Sequence, residues 1–113
     1  MGVRRTQVGK IVKLYLSGSF FGDAETEQLQ KAILDEAAAG NLSLILNMSE
    51  CQRFNSIAIG VLMRGFAHFR TRGGEIKLCG LGKSLEDLFT MTKVIQLFDH
   101  HETQEEAVAA FAI

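Results

Sequence analysis

Residues 42–62 read LSLILNMSECQRFNSIAIGVL, and the periodicity changes partway along. Leu42, Leu44, Leu46 and Met48 alternate with Ser43, Ile45, Asn47 and Ser49, the period of two that sends successive side chains to opposite faces of a β-strand. Ile45 among the off-phase positions implies that the second face is partly covered as well. From 57 to about 72 the spacing is helical: Leu62, Phe66 and Phe69 share one side with Ile59 and Met63 beside them, and Arg64, His68 and Arg72 take the other. Residues 50–55 are expected to form a loop between the two. Asn55 or Ser56, both preferred N-cap types, starts the helix. Such a junction offers free backbone N–H groups and a partial positive charge, which would favour a phosphate on or beside Ser56.

The flanking segments continue the alternation. Residues 11–16, IVKLYL, predict a strand ended by Gly18, with 3–8 as a short partner strand. Asp23 is placed to cap a helix with Glu25 and Glu27 in its first turn. Leu29, Ala32, Ile33 and Ala37 line that helix's apolar side, Glu27, Lys31 and Asp35 its wet side, and Gly40-Asn41 stops it. EIKLCGL, 75–81, predicts a strand, Ser84-x-x-Asp87 a helix cap, QLF at 96–98 a last short strand, and Thr103-x-x-Glu106 the cap of a closing helix striped by Ala107, Ala110 and Phe111. Strands alternating with helices on short links predict a mostly parallel or mixed sheet covered by helices.

The bulk properties exclude several function classes. The chain has 113 residues, 47% hydrophobic and 22% charged, with a formal net charge of -1, so one ordinary domain over 1–113 is expected. That charge gives no electrostatic reason to expect nucleic acid or an anionic membrane as partner. No apolar run approaches a membrane span and no signal peptide follows Arg4-Arg5, so a cytoplasmic protein without membrane insertion is expected. Gly2 with Thr6 matches a myristoylation pattern weakly and is read as coincidence. Cys51 and Cys79 lack ligand spacing and read as two unpaired thiols.

Catalytic patterns are thin. His68 lies on a polar helical side, and His100-His101 beside Asp99 read as a solvated turn. No Ser-His-Asp order is defensible, and GxGxxG and GxxxxGK[ST] are absent. No catalytic residue, metal or cofactor is therefore expected.

With these pieces in order, the chain resembles the STAS domain family, typified by bacterial anti-sigma factor antagonists. The likeness spans nearly the whole chain: a strand ending LSG at 16–18, an acidic amphipathic helix, LILNMS at 44–49, FNSIAIGVL at 54–62, RGGEIKLCGL at 72–81, and LEDLFTMTKVIQLFDHHETQEEAVAAF at 85–111. It implies an α/β fold with a mixed sheet of four to five strands and about four helices. The family's junction motif, Asp-Ser-Ser/Thr-Gly-Leu-Gly, falls on Asn55-Ser56-Ile57-Ala58-Ile59-Gly60, which places the family's phosphorylated serine on Ser56. Asn55, Ile57 and Ala58 depart from the motif, and Phe20-Phe21 stand where the family carries an acidic residue, with Asp23 slightly later.

The resemblance implies a non-enzymatic protein that binds an anti-sigma factor/serine kinase and is switched by phosphorylation of Ser56. Partner contacts are then expected from Arg53, Asn55, Ile57, Ala58, Gly60, Val61 and Arg64. If Ile57 faces solvent, Ile57, Val61 and Arg64 form a surface stripe; otherwise Ile57 folds under the loop as core. A second reading is a constitutive subunit of a larger assembly, such as a lipid-transport ABC system, which Asn55 and Ile57 favour. A small nucleotide-binding domain is a third, without a dedicated phosphate cradle in the sequence. Weak homodimerisation through exposed apolar patches is compatible with each.

Overall fold

The structure, a computed structural model, describes residues 2–111. Its elements are β1 (Gly2–Val8), β2 (Ile11–Phe20), α1 (Ala24–Ala38), β3 (Ser43–Phe54), α2 (Ser56–Thr71), β4 (Glu75–Cys79), α3 (Lys83–Met91), β5 (Asp99–His101) and α4 (Gln104–Phe111). The five strands form one sheet in chain order. β1 pairs antiparallel with β2, and every later pair is parallel. The α/β fold, with its mixed sheet and four helices, is as the sequence predicts.

Alternation sorts the two faces. Val12, Leu14 and Leu16 of β2, Leu44, Leu46 and Met48 of β3, and Ile76 and Leu78 of β4 share one core with Leu29 and Ile33 of α1, Leu62 and Phe69 of α2, and Leu85 and Phe89 of α3. Burying a side chain of this size is worth roughly 1.5–3 kcal/mol, so this face dominates the fold. On the other face Ile45 and Cys79 pack with Ala107, beside Ile11, Val108 and Phe111. The small residues of α4 thus cover only part of the second face, and Ile45 is its buried centre.

Two close approaches fix the helices. A Cβ on Gly65 would stand 2.8 Å from Ile33 Cγ2, so a glycine in mid-helix lets α2 press onto α1. Arg72, though exposed, donates to the Ala37 carbonyl at 3.2 Å, which also accepts from the Gly40 N–H at 3.1 Å, and so ties the end of α2 to the end of α1. The expected cap of α4 is formed reciprocally: Glu106 N–H donates to Thr103 Oγ1 at 3.1 Å, and Thr103 N–H to Glu106 Oε1 at 3.2 Å.

Several expectations are corrected. Residues 50–54 are strand, not loop: β3 runs on to Phe54, paired with β2 through two register shifts in which β3 carries the extra residue. These bulges break the period-two pattern. β2 likewise continues past Gly18 to Phe20. Asp23 occupies the N-cap of α1 without a side-chain bond; Thr26 Oγ1 instead accepts from the Gly22 N–H at 2.9 Å. α3 starts one residue before Ser84, with Gly82 as its cap. The final strand is Asp99–His101, and 94–96 form a 3-10 turn that buries Val94. Residues 96–98 are thus not strand, and the histidine pair lies in the sheet.

Lys77 also escapes sequence reasoning. It stands in β4 on the α4 side, buried, with its Nζ 2.6 Å from Asp99 Oδ2 and 3.1 Å from Glu75 Oε2. The ammonium lies 4.8 Å from the Phe111 ring centroid, so one cation ties β4, β5 and α4 together.

Candidate functional site

Beyond Asn47, β3 outlasts β4, whose pairing ends at Asn47–Cys79. The polar run SECQR can be strand there because it pairs only with β2 and its side chains, apart from the partly buried Cys51, reach water. Asn47 eases the change, its Oδ1 accepting from the Ser49 N–H at 3.0 Å and from Ser49 Oγ at 2.7 Å. The strand then ends on Phe54, whose ring packs against Phe20 and Phe89 with centroids 5.4 and 5.9 Å apart. This buried aromatic row is the base on which the junction stands.

Asn55 is the N-cap of α2. Its Oδ1 accepts from the N–H groups of Ile57 and Ala58, each at 3.1 Å, and its backbone carbonyl accepts from Ile59 N–H at 3.0 Å. Its side-chain N–H donates to the Phe21 carbonyl at 2.9 Å, and its backbone N–H donates to the Phe20 carbonyl at 3.2 Å. One residue therefore closes the helix end and staples it to the segment following β2. The free N–H groups expected to favour an anion at this end are thereby largely taken up.

Ser56 is consequently not the cap. It is the first residue of α2, exposed, and its hydroxyl makes no hydrogen bond among the described residues. Ile57 is 55% exposed and Phe21 45% exposed. Ile57 leans on the Gly22 backbone, where a Cβ would stand 2.8 Å from its Cδ1, and Gly22 has φ +89°. Ile57 is thus neither core nor a free stalk: Gly22 gives it a seat at the surface.

The other expected contact residues separate. Arg53 and Arg64 are exposed and Gly60 half-buried, whereas Ala58 and Val61 are buried in the core. The stripe expected of Ile57, Val61 and Arg64 therefore does not form; Val61 turns under the helix and Met63 is exposed instead. Arg64 Nη1 lies 3.4 Å from the point where a Cβ on Gly60 would stand, so its guanidinium folds back along the helix toward Ser56. Arg53, Arg64 and Arg70 form no ion pair among the described residues. Phe21 and Gly22 were missed by the sequence reading. The signal lay in a glycine following two phenylalanines, but its partner Ile57 is remote in sequence.

A groove of about 270 Å³ runs beside the junction, lined by Phe21, Arg53, Phe54, Ser84, Leu85 and Leu88. It is smaller than sites that enclose drug-sized ligands. Neither cysteine is an activated nucleophile: burial pushes the Cys51 thiol up to about 12 and the Cys79 thiol up to about 11. Among the described residues no group of three or more His, Cys, Asp or Glu is placed to hold a metal ion, and no helix is long and apolar enough to cross a membrane.

Comparison with solved structures finds this architecture repeatedly. A candidate anti-sigma factor antagonist from Thermotoga maritima superposes with a TM-score of 0.88 at 18% identity, covering 96% of this chain and 92% of its own. The Bacillus anti-sigma factor antagonist SpoIIAA, known in unphosphorylated and phosphorylated forms, gives TM-scores of 0.76 and 0.77 at 18% and 17% identity; 98% and 97% of this chain and 97% and 99% of SpoIIAA are covered. The murine anion transporter Slc26a9 matches 92% of this chain with 18% of its own length, at a TM-score of 0.77 and 16% identity. At these identities the likeness shows the fold. The family model of the STAS domain matches residues 3–107, and the chain belongs to the STAS domain family.

Proposed function

We propose that this STAS domain is a non-enzymatic switch of the anti-sigma factor antagonist type, which binds an anti-sigma factor/serine kinase through the end of the sheet that carries Ser56. The observation that carries the reading is the division of labour between two adjacent residues. Asn55 does all the capping, so the Ser56 hydroxyl is exposed and uncommitted. A kinase could then transfer the γ-phosphoryl group of ATP to Ser56 Oγ, with ADP leaving and the hydroxyl proton passing to the kinase's base. Arg53, Asn55, Ile57, Gly60 and Arg64, joined by Phe21, form the contact surface. Ala58 and Val61 support it from below.

The test is incubation with the cognate kinase and ATP, then mass spectrometry of the peptide covering 54–64. Phosphate on Ser56, lost in Ser56→Ala, is the expected result. An unmodified peptide under conditions where the kinase phosphorylates a control substrate would remove the switch. A constitutive subunit is the second reading, favoured by the exposed apolar pair Phe21 and Ile57, which suits a lasting interface. Co-purification of a transporter ATPase from the native host, instead of a kinase, would support it.

A further inference from the structure

A phosphoryl group on Ser56 would need a counter-charge, and the helix end cannot supply it in full. The N–H groups of Ile57 and Ala58 already donate to Asn55 Oδ1, and that of Ile59 to the Asn55 carbonyl. The donor must come from elsewhere. Ser56, Gly60 and Arg64 follow one another at intervals of four along α2, the spacing at which side chains stack on one helical row, with Cβ atoms about 5–6 Å apart per step. Side chains in a helix tilt toward its N-terminus, and Arg64 does so: its Nη1 rests over Gly60, 3.4 Å from where a Cβ would be. The glycine leaves the row open between the guanidinium and Ser56. Arg64 has no carboxylate partner among the described residues, so no ion pair must break for it to move.

We propose that Arg64 is the intramolecular receptor for a phosphoryl group on Ser56, reached across Gly60. The inference rests on Ser56 being the modified residue and adds a consequence for regulation. Phosphorylation then places negative charge at the contact surface and also engages the Arg64 guanidinium within the chain, so a partner loses an arginine contact in the same event. The guanidinium suits the role because its planar fork can donate two parallel hydrogen bonds to phosphate oxygens. Of the other charged groups at this end, Arg53 is the last residue but one of β3, and Asp23 and Glu25 stand at the start of α1 beyond Gly22.

The experiment installs phosphoserine at 56 biosynthetically, so it does not depend on a kinase. Phosphorus NMR then follows the second ionisation of the phosphate in the whole chain, in Arg64→Gln, in Arg53→Gln, and in a peptide covering 54–64. A neighbouring guanidinium favours the doubly charged form. The midpoint in the whole chain is expected to lie below that of the peptide by about half a pH unit or more. Arg64→Gln should recover most of that difference and Arg53→Gln little of it. Both residues are exposed, and unchanged melting of the unphosphorylated variants confirms that the fold is retained. A titration unmoved by Arg64→Gln, or moved equally by Arg53→Gln, would overturn the proposal. Failure of a kinase to modify Ser56 would instead sink the functional reading and leave this measurement standing.

Discussion

The side-chain N–H of Asn55 donates to the backbone carbonyl of Phe21 at 2.9 Å, joining two segments far apart in the chain. An aspartate, the family's usual residue here, can cap the helix equally well but has no proton to give that carbonyl. The substitution at this position therefore exchanges a negative charge for a tie.

From that tie we expect Asn55→Asp to cost about 1 kcal/mol. The lost hydrogen bond and the carboxylate placed against a carbonyl outweigh the favourable charge at the helix N-terminus. Asn55→Ala loses the cap as well and should cost about 2 kcal/mol. Urea unfolding of the three proteins checks the ranking. An Asn55→Asp variant as stable as the parent would show that the Phe21 contact contributes nothing.

The two glycines of α2 should respond in opposite directions to the same change. At Gly60 a Cβ meets only the mobile Arg64 guanidinium, so Gly60→Ala should stabilise by about 0.5–1 kcal/mol through helix propensity. It should also block the row between Arg64 and Ser56. At Gly65 the Cβ would collide with Ile33, and Gly65→Ala should destabilise by about 1–3 kcal/mol in spite of the same propensity gain. Thermal melts distinguish the two; a stabilising Gly65→Ala would mean that α1 and α2 separate freely.

Lys77 and Asp99 give the protein an acid-sensitive joint. The hydrogen bond from Lys77, and after it that from His101, hold the Asp99 carboxyl below its ordinary value against the opposing effect of burial. A depressed folded pKa stabilises above the unfolded value, about 3.9 for aspartate, and that contribution disappears as pH falls through the folded value. Asp99→Asn should therefore lower stability at pH 7 and flatten the loss of stability below about pH 4 relative to the parent. Parallel acid limbs in denaturant titrations would refute this. Lys77→Met, which keeps the packing stem, should cost less than Lys77→Ala.

The thiols should be inert in the native state. With Cys51 near 12 and Cys79 near 11, the thiolate fraction at pH 8 is about one in ten thousand and one in a thousand. Labelling with iodoacetamide at pH 8 is expected to be slow until denaturant is added. Rapid native labelling of Cys51 would show that the β3 arm opens readily.

The sequence reading succeeded where one face of an element is buried. Leu44, Leu46 and Met48 announced β3, and Leu29 with Ile33 announced α1, because a repeated burial direction leaves a repeated pattern. It failed where geometry is set by a distant partner. SECQR looks like a loop because its bulges break the alternation and its single neighbour is β2, some 30 residues away by register. Val61 looked available because a helical wheel does not tell how deeply α2 is pressed into the core by Gly65. The histidine pair looked like a turn because a polar edge strand of three residues carries no period. At the site, Ser56 and Asn55 were legible as types, but their separate duties were not. Only the position of the Phe21 carbonyl decides which of the two is held fast.

The unequal lengths of β3 and β4 have a further consequence. From 48 to 54 the strand has register partners on the β2 edge only. Amide hydrogens of Leu44 to Asn47, paired on both edges of β3, are therefore expected to exchange slowly, and those of the projecting ribbon to exchange by smaller, local openings. The protein is in this sense a stiff base carrying a softer tip, and changes at the exposed tip residues Glu50, Gln52 and Arg53 need not reach the base that keeps it folded.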